Sequence, residues 1–222
     1  MAAQGSSRPR GIRGDVARLF SPEGTHGGKP SLGAAVRRVL TRPGPQAVAL
    51  YRASHWLWSR GLEVPAELVW RANYFMTGAD IHPGAVIGGG LRMTHATGVV
   101  IWSGVVIGDD VTLLHGVTMG GSGRGWFDGQ FRDGYPVVGD RSEIMAGAKI
   151  LGPITVGKGC FVGANAVLAR DLPDGEAYTP AREMNELRRR VQELEQRVAE
   201  LESRPKPARA RASRPEASSE AG

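Results

Sequence analysis

The sequence predicts a mainly β protein: a parallel β-helix with a small helical subdomain before it and a coiled-coil helix after it. Three patterns predict this fold. Apolar residues lie three and four positions apart between Ser31 and Thr77, aliphatic residues recur every six positions after Asp80, and an apolar heptad follows residue 183. Each pattern has its own period, and hydrophobic periodicity is the main sequence signal for secondary structure.

The N-terminal part contains a tail and the helical subdomain. Residues 1–30 are rich in Gly, Arg, Ser and Pro, and we expect them to be disordered. In residues 31–78 the segments AAVRRVL, QAVALYRASHWLW and PAELVWRANYFM have helical spacing, and Gly44 and Gly61 separate them. We expect the tryptophans of this subdomain to be core residues: Trp56, Trp58 and Trp70.

Residues 79–182 carry the six-residue repeat, with a two-residue slip after Met93 and an irregular stretch over 120–137. The recurring residues are Ile81, Ile87, Met93, Ile101, Ile107, Leu113, Met119, Val138, Ile144, Ile150, Val156, Val162 and Leu168. This period is typical of a parallel β-helix, in which six residues form a short strand and a turn, and three such units complete a coil. The irregular stretch is a predicted loop, and loops of this length are often functional.

Residues 183–204 carry apolar residues alternately three and four positions apart, a heptad that predicts a coiled coil. The heptad residues are Met184, Leu187, Val191, Leu194, Val198 and Leu201. A parallel partner would pair opposite charges at g and following e positions: Arg190 with Glu195, and Arg197 with Glu202. The alternative is a single amphipathic helix packed on its own domain. Residues 205–222 are a predicted disordered basic tail.

The charge distribution excludes several partners. The formal net charge is +6, but residues 1–31 and 204–222 each carry five basic and two acidic residues, so residues 32–203 are neutral. We therefore expect no nucleic-acid groove on the folded body.

No apolar run has the length of a signal peptide or membrane span, which favours a cytoplasmic protein without membrane association. The one cysteine, Cys160, excludes an intrachain disulfide and is expected to face inward.

Four segments together closely resemble bacterial serine O-acetyltransferases: DIHPGAVIGGGLRMTHATGVVI, VTMGGSG, AGAKILGPITVGKGCFVGANAVL and TPAR. The segment YRASHWLWSRG also resembles the end of that family's helical domain, so the similarity covers residues 43–182. The resemblance implies a left-handed parallel β-helix of hexapeptide repeats, a homotrimer with active sites between neighbouring subunits, and acetyl-CoA as the acyl donor. It implies an O-acetyltransferase for L-serine or a related small hydroxy or amino compound.

The resemblance implies that His95, in THATG, is the catalytic base and that Asp80, before IHP, is its partner. The two residues are fifteen positions apart, just short of an eighteen-residue coil, so we expect them near the same corner on adjacent coils. An imidazole can accept the proton that an alcohol loses as it attacks a thioester. A carboxylate can hold the tautomer of that imidazole and stabilise its charged form.

The resemblance also implies where CoA binds. Small residues at the coil edge would let the pantetheine arm approach the backbone. These predicted cofactor-binding residues are Gly120, Gly121, Ala146 and Ala164. Lys149 and Arg170 are further candidates for contacts with the CoA phosphates. We expect no metal cofactor.

The acceptor side departs from the family pattern. Thr94 stands where the family has an aspartate that contacts the serine ammonium, and DGYP replaces DRHP, so that Gly134 and Tyr135 replace an arginine and a histidine. We expect Arg132 to bind the acceptor carboxylate instead, and Tyr135 to donate a hydrogen bond. An ammonium that loses its carboxylate partner in a buried site costs about a few kcal/mol, so L-serine is expected to be a poor acceptor.

Other functions are less consistent with these residues. An N-acetyltransferase or another acyltransferase could use the same fold, and a non-catalytic trimeric scaffold would not need Asp80 and His95. A γ-type carbonic anhydrase needs three histidines around zinc, but His82, His95 and His115 do not have that family's spacing. His115 can line the site, although we expect a structural role for it. The short helical subdomain favours a trimer over a hexamer, and the C-terminal sequence EASSEAG does not predict association with cysteine synthase.

Overall fold

A computed structural model describes residues 14–15, 32–121 and 134–203. The residues outside the described part include Arg132, most of the predicted loop over 120–137, most of the predicted N-terminal tail and the whole predicted tail over 205–222. The chain up to Glu183 forms one compact unit, so the helical subdomain and the β-helix belong together, and the residues from Met184 onward form a second unit.

From Leu32 onward, three α-helices precede the β-helix: α1 (Leu32–Thr41), α2 (Pro43–Trp58) and α3 (Glu63–Thr77). Pro43 suits the first turn of α2, because the backbone N–H groups there have no partner within the helix. Gly78 ends α3 with a left-handed φ of 74°, and its N–H donates a hydrogen bond to the carbonyl of Tyr74. The first β-strand begins two residues later, so α3 leads directly into the β-helix.

Short parallel strands form the three faces of the β-helix. They are β1 (Asp80–Ile81), β2 (Val86–Ile87), β3 (Arg92–Met93), β4 (Val100–Ile101), β5 (Val106–Ile107), β6 (Thr112–Leu113), β7 (Thr118–Gly120), β8 (Val137–Val138), β9 (Glu143–Ile144), β10 (Lys149–Leu151), β11 (Thr155–Val156), β12 (Phe161–Val162), β13 (Val167–Leu168) and β14 (Ala177–Tyr178). Sheet A has the order β1-β4-β7-β10-β13, sheet B the order β2-β5-β8-β11, and sheet C the order β3-β6-β9-β12-β14.

The strand register gives the length of each coil. Asp80 pairs with Val100, 20 residues later, whereas Val100 pairs with Thr118, 18 residues later. The two-residue slip after Met93 therefore enlarges the first coil. Every aliphatic residue of the predicted six-residue period is at most 5% exposed. The sequence prediction of a left-handed hexapeptide β-helix between a helical region and a C-terminal helix is confirmed.

Single side chains give mixed results. Cys160 is buried as expected, and burial raises the pKa of its thiol. The prediction that Trp56 is a core residue is wrong. Its side chain is 50% exposed, and the Arg60 guanidinium lies 3.8 Å from its ring centroid. The cation covers the ring face that a core would otherwise cover. Trp58 and Trp70 are half-buried.

A partly buried ion pair joins residue 15 to the body of the protein. Asp15 lies in the predicted disordered tail, and Arg52 Nε on α2 lies 2.6 Å from its Oδ2. Asp15 Oδ1 accepts a hydrogen bond of 2.8 Å from the backbone N–H of Gly90, and Arg52 donates one of 2.6 Å to the carbonyl of Ile87. These bonds connect residue 15, α2 and the turn after β2.

The last helix is α4 (Pro180–Ser203), and none of its residues is buried. Its heptad residues are between 50% and 62% exposed, as Leu187 and Leu194 show. Tyr178 donates a hydrogen bond of 2.5 Å to Glu183 Oε2 at the first turn. Among the described residues, no helix has the length and apolar character needed to cross a membrane.

Candidate active site

One corner of the coil, between sheets C and A, contains the predicted base. His95 lies two residues after β3, and His115, Ala146 and Ala164 lie two residues after β6, β9 and β12. These four strands are consecutive neighbours in sheet C. Paired strands lie about 4.8 Å apart, so the four residues occupy equivalent positions on successive coils. We call His95, His115, Ala146 and Ala164 the corner column.

The two histidines of the corner column contact each other. Their ring centroids are 6.0 Å apart and their planes meet at 77°, an edge-to-face arrangement. Both residues are exposed, as is Thr94 beside His95. An exposed imidazole at a corner can reach a bound substrate, so His95 is accessible for the proton transfer that the sequence predicts.

The predicted partner, Asp80, is held by a residue that the sequence did not point to. Trp70 Nε1 on α3 donates a hydrogen bond of 2.8 Å to Asp80 Oδ1. This bond fixes one carboxylate oxygen and leaves the other available. In the described part of the chain no hydrogen bond joins Asp80 to His95, so their pairing stays a prediction. The short connection from α3 to β1 brings Trp70 to Asp80, and no sequence pattern indicates that contact.

His82 lies near Asp80 in an aromatic cluster. The rings of Trp58, Trp70 and Trp102 have centroids 5.3, 4.7 and 5.2 Å from the His82 ring. His82 Nδ1 accepts a hydrogen bond of 2.9 Å from the N–H of Gly84, so the neutral ring carries its proton on Nε2. Burial lowers the pKa of His82 and outweighs the opposing effects of Asp80 and Glu67. His82 is thus a neutral structural residue beside the site.

A second corner, between sheets A and B, contains three further predicted residues. Gly120 ends β7, and Gly121 follows it. A Cβ atom added to Gly121 would lie 3.7 Å from Tyr135 Cε1, and the Tyr135 side chain is 39% exposed. Gly120, Gly121 and Tyr135 therefore lie together at one edge of sheet A. Thr94, His95, Ala146 and Ala164 lie at its other edge, so one chain does not bring all the predicted residues together.

The two candidates for CoA phosphates have partners within the chain. Lys149 Nζ donates a hydrogen bond of 2.6 Å to the carbonyl of Gly116. The Arg170 guanidinium lies 5.2 Å from the Tyr178 ring centroid. Both groups keep further N–H donors, so their contact with CoA stays a prediction. Among the described residues, no group of three or more His, Cys, Asp or Glu side chains is arranged to hold a metal ion.

The fold and the corner column define a class of protein, the hexapeptide-repeat transferases. The family model for the bacterial transferase hexapeptide (six repeats) matches residues 135–170. The chain is 47% identical over 144 residues to a serine acetyltransferase of Mycobacterium tuberculosis, an alignment covering 65% of this chain and 61% of that protein. It is 44% identical over 144 residues to the Helicobacter pylori (strain J99) serine acetyltransferase, covering 65% of this chain and 81% of that one.

A solved structure agrees with these relatives. A serine acetyltransferase in complex with CoA has a TM-score of 0.61 and 34% identity, covering 75% of this chain and 65% of that chain. The chain belongs to the serine acetyltransferase family. Membership in that family indicates an acyltransferase with acetyl-CoA as co-substrate.

Proposed function

We propose that this protein transfers the acetyl group of acetyl-CoA to the hydroxyl of a small acceptor, with His95 as the general base. The observation that carries the proposal is the corner column. In this column the exposed His95 lies in line with the small residues Ala146 and Ala164, which occupy the same position on later coils. A pantetheine arm along Ala164 and Ala146 would bring its thioester toward His95. The CoA complex of a relative with the same fold supports a CoA site on this β-helix.

His95 supplies the base that the reaction needs. The acceptor hydroxyl loses its proton as its oxygen attacks the acetyl carbon, and a positioned imidazole typically accelerates such a step by about 10²–10⁴-fold. Asp80 would hold the His95 ring through its second oxygen, since Trp70 already occupies the first. A carboxylate in this position stabilises the imidazolium that forms during the attack.

The acceptor is a small hydroxy compound, and the site does not select it for an ammonium group. Thr94, beside His95, is exposed and uncharged. The resemblance places at this position the carboxylate that meets the serine ammonium in the family. Without a carboxylate at this position, an ammonium loses its charged partner beside His95, which favours acceptors without that charge. Tyr135 would contribute its hydroxyl from the second corner, and Arg132 would meet an acceptor carboxylate.

The division of the site residues between two corners supports a homotrimer with sites between subunits. The first corner of one chain would face the second corner of its neighbour, so that Gly120, Gly121 and Tyr135 complete the site. Cyclic assemblies form such heterologous contacts. In α4 the opposite charges at g and e positions support a parallel association of the same chains.

Release of the CoA thiol with L-serine, ethanolamine and glycerate as acceptors tests this proposal. Wild-type protein should release thiol with at least one hydroxy acceptor, and His95→Ala should lose about 10²-fold or more in kcat. Thiol release that His95→Ala leaves unchanged would contradict the assignment of the base.

Thr94→Asp tests the acceptor preference. This substitution should raise kcat/KM for L-serine, because its carboxylate would meet the serine ammonium, but not for glycerate, which has no ammonium. The matched control, Thr94→Asn, adds a side chain of similar size without the charge. If wild-type protein prefers L-serine to glycerate by orders of magnitude, the proposed acceptor class is wrong.

A further inference from the structure

We infer that His115 is a second catalytic residue, which gives a proton to the sulfur of CoA as the thioester breaks. This inference rests on the proposed acetyl transfer. His115 is the member of the corner column that lies between His95 and Ala146. The expectation of a structural role for His115 does not explain its exposure, because a structural histidine would be buried among partners.

The register of sheet C determines the position of His115. Arg92 of β3 pairs with Thr112 of β6, 20 residues later. His95 and His115 follow these strands by the same number of residues, so the pairing of β3 with β6 brings the two rings together, with their centroids 6.0 Å apart.

The direction of the CoA arm places the sulfur near His115. An arm that approaches along Ala164 and Ala146 reaches His115 one coil before His95. The acetyl carbon must lie beside the acceptor oxygen, which His95 deprotonates. The sulfur lies on the opposite side of that carbon, toward the pantetheine and hence toward His115.

The proton balance assigns the two imidazoles different roles. Neutral His95 takes the proton of the acceptor hydroxyl as the oxygen–carbon bond forms. The carbon–sulfur bond then breaks, and the sulfur takes a proton from protonated His115, so that CoA leaves as a thiol. A proton that passes from His95 to His115, directly or through water, restores both rings. No other reactant is needed.

A comparison of two acyl donors tests this role. One donor is acetyl-CoA, and the other is its selenoester, in which selenium replaces the thioester sulfur. A selenol is much more acidic than a thiol, so its anion leaves without a proton. His115→Gln should lower kcat/KM with acetyl-CoA by about 10²-fold and with the selenoester by less than about threefold. His95→Gln should lower both equally, since attack by the hydroxyl needs a base with either donor.

Each result decides the inference. Equal losses with both donors would show that His115 does not protonate the leaving sulfur, and no loss with acetyl-CoA would remove any role. Circular dichroism and the CoA dissociation constant of His115→Gln show whether fold and CoA site are intact. If wild-type protein releases no CoA from either donor with any hydroxy acceptor, the proposed function itself fails, and the role of His115 falls with it.

Discussion

Gly44, in the first turn of α2, packs directly against the backbone of Met93 in β3. A Cβ atom at Gly44 would lie 2.8 Å from the carbonyl carbon of Met93 and closer still to its oxygen, whereas real Cβ contacts essentially never fall under 3.0 Å. Both partners in this clash are backbone atoms of regular structure. Gly44→Ala should therefore lower the free energy of unfolding by about 1–3 kcal/mol, as overpacking typically does.

Gly33 in α1 provides the matched control for Gly44. A Cβ atom there meets nothing within 4 Å. Gly33→Ala should raise the stability by about 0.5–1 kcal/mol, because alanine favours the helical backbone. Urea unfolding of both variants measures the difference. Equal effects would mean that α2 and β3 do not pack as the structure shows.

His82 makes the stability depend on pH. Its pKa in the folded protein is lowered from the ordinary value of 6.5 by burial among tryptophan rings. The unfolded chain therefore binds a proton more readily than the folded one, and the free energy of unfolding rises with pH over this range. The contribution of His82 is fully present above pH 6.5 and is lost as the pH falls below that value. We expect protonation to destabilise the fold.

His82→Asn tests this dependence. An asparagine oxygen can accept the N–H of Gly84 as His82 Nδ1 does, but it does not titrate. The difference in urea midpoint between pH 7.5 and pH 5 should be smaller in His82→Asn than in wild type. His115→Asn, which replaces an exposed imidazole, is the control. If His82→Asn keeps the full pH dependence, another group causes it.

At the residue scale the sequence predicts periodic contacts well and non-local ones poorly. The aliphatic column from Ile81 to Leu168 followed from a six-residue period, because each repeat faces the same interior. The contact between Trp70 and Asp80 involves no period, and it depends on how α3 enters the first coil. The sequence predicts Trp56 in the core because an aromatic residue in an amphipathic helix usually lies there, yet the Arg60 guanidinium covers its ring.

At the scale of the element, α4 has an apolar face without a partner in its own helix. Its a positions hold Met184, Val191 and Val198, and its d positions hold Leu187, Leu194 and Leu201. Each g position from Arg190 onward faces an acidic e position in a parallel neighbour. In a parallel coiled coil, β-branched residues at a with leucine at d favour two strands, whereas the proposed homotrimer requires three. A coiled coil of three α4 helices would therefore require trimer formation by the β-helix.

Charge reversal tests this association. Arg190→Glu with Arg197→Glu would place like charges opposite Glu195 and Glu202, and should weaken self-association of the full chain by ~10-fold or more. Adding Glu195→Arg and Glu202→Arg should restore it. Gln192→Glu adds a negative charge at a b position, outside these g and e positions, and is the control. Sedimentation equilibrium gives both the affinity and the number of chains.

Two results would contradict the association through α4. One is a double variant whose association equals that of wild type, which would show that the helix does not pair in parallel. The other is a wild-type dimer, which would contradict the proposed homotrimer. Restoration by the four-residue variant distinguishes loss of pairing from loss of the helix itself.

At the scale of the whole molecule, the site needs more than one corner of one chain. Sheet A separates His95 from Tyr135 within one chain, although both residues are expected in the same active site. Sequence spacing gives the position of a residue along the coil, but it does not show which corner of a neighbouring chain completes the site. The family resemblance supplied the expectation of shared sites, and the geometry of one chain alone leaves that expectation as a prediction.

Mixing two inactive variants tests whether sites are shared. His95→Ala damages the first corner, and Gly121→Phe would obstruct the second without backbone strain, since Gly121 is not among the glycines with positive φ. Each variant alone should be inactive.

When the two are refolded together in equal amounts, a shared site is intact only if one neighbour contributes an undamaged first corner and the other an undamaged second corner. That occurs in about one quarter of the sites of a random trimer. Thiol release at about a quarter of the wild-type rate is therefore expected, whereas mixing without refolding should restore none. If the refolded mixture stays inactive while a wild-type and His95→Ala mixture gives about half activity, each chain contains a complete site, and the two corners act within one subunit.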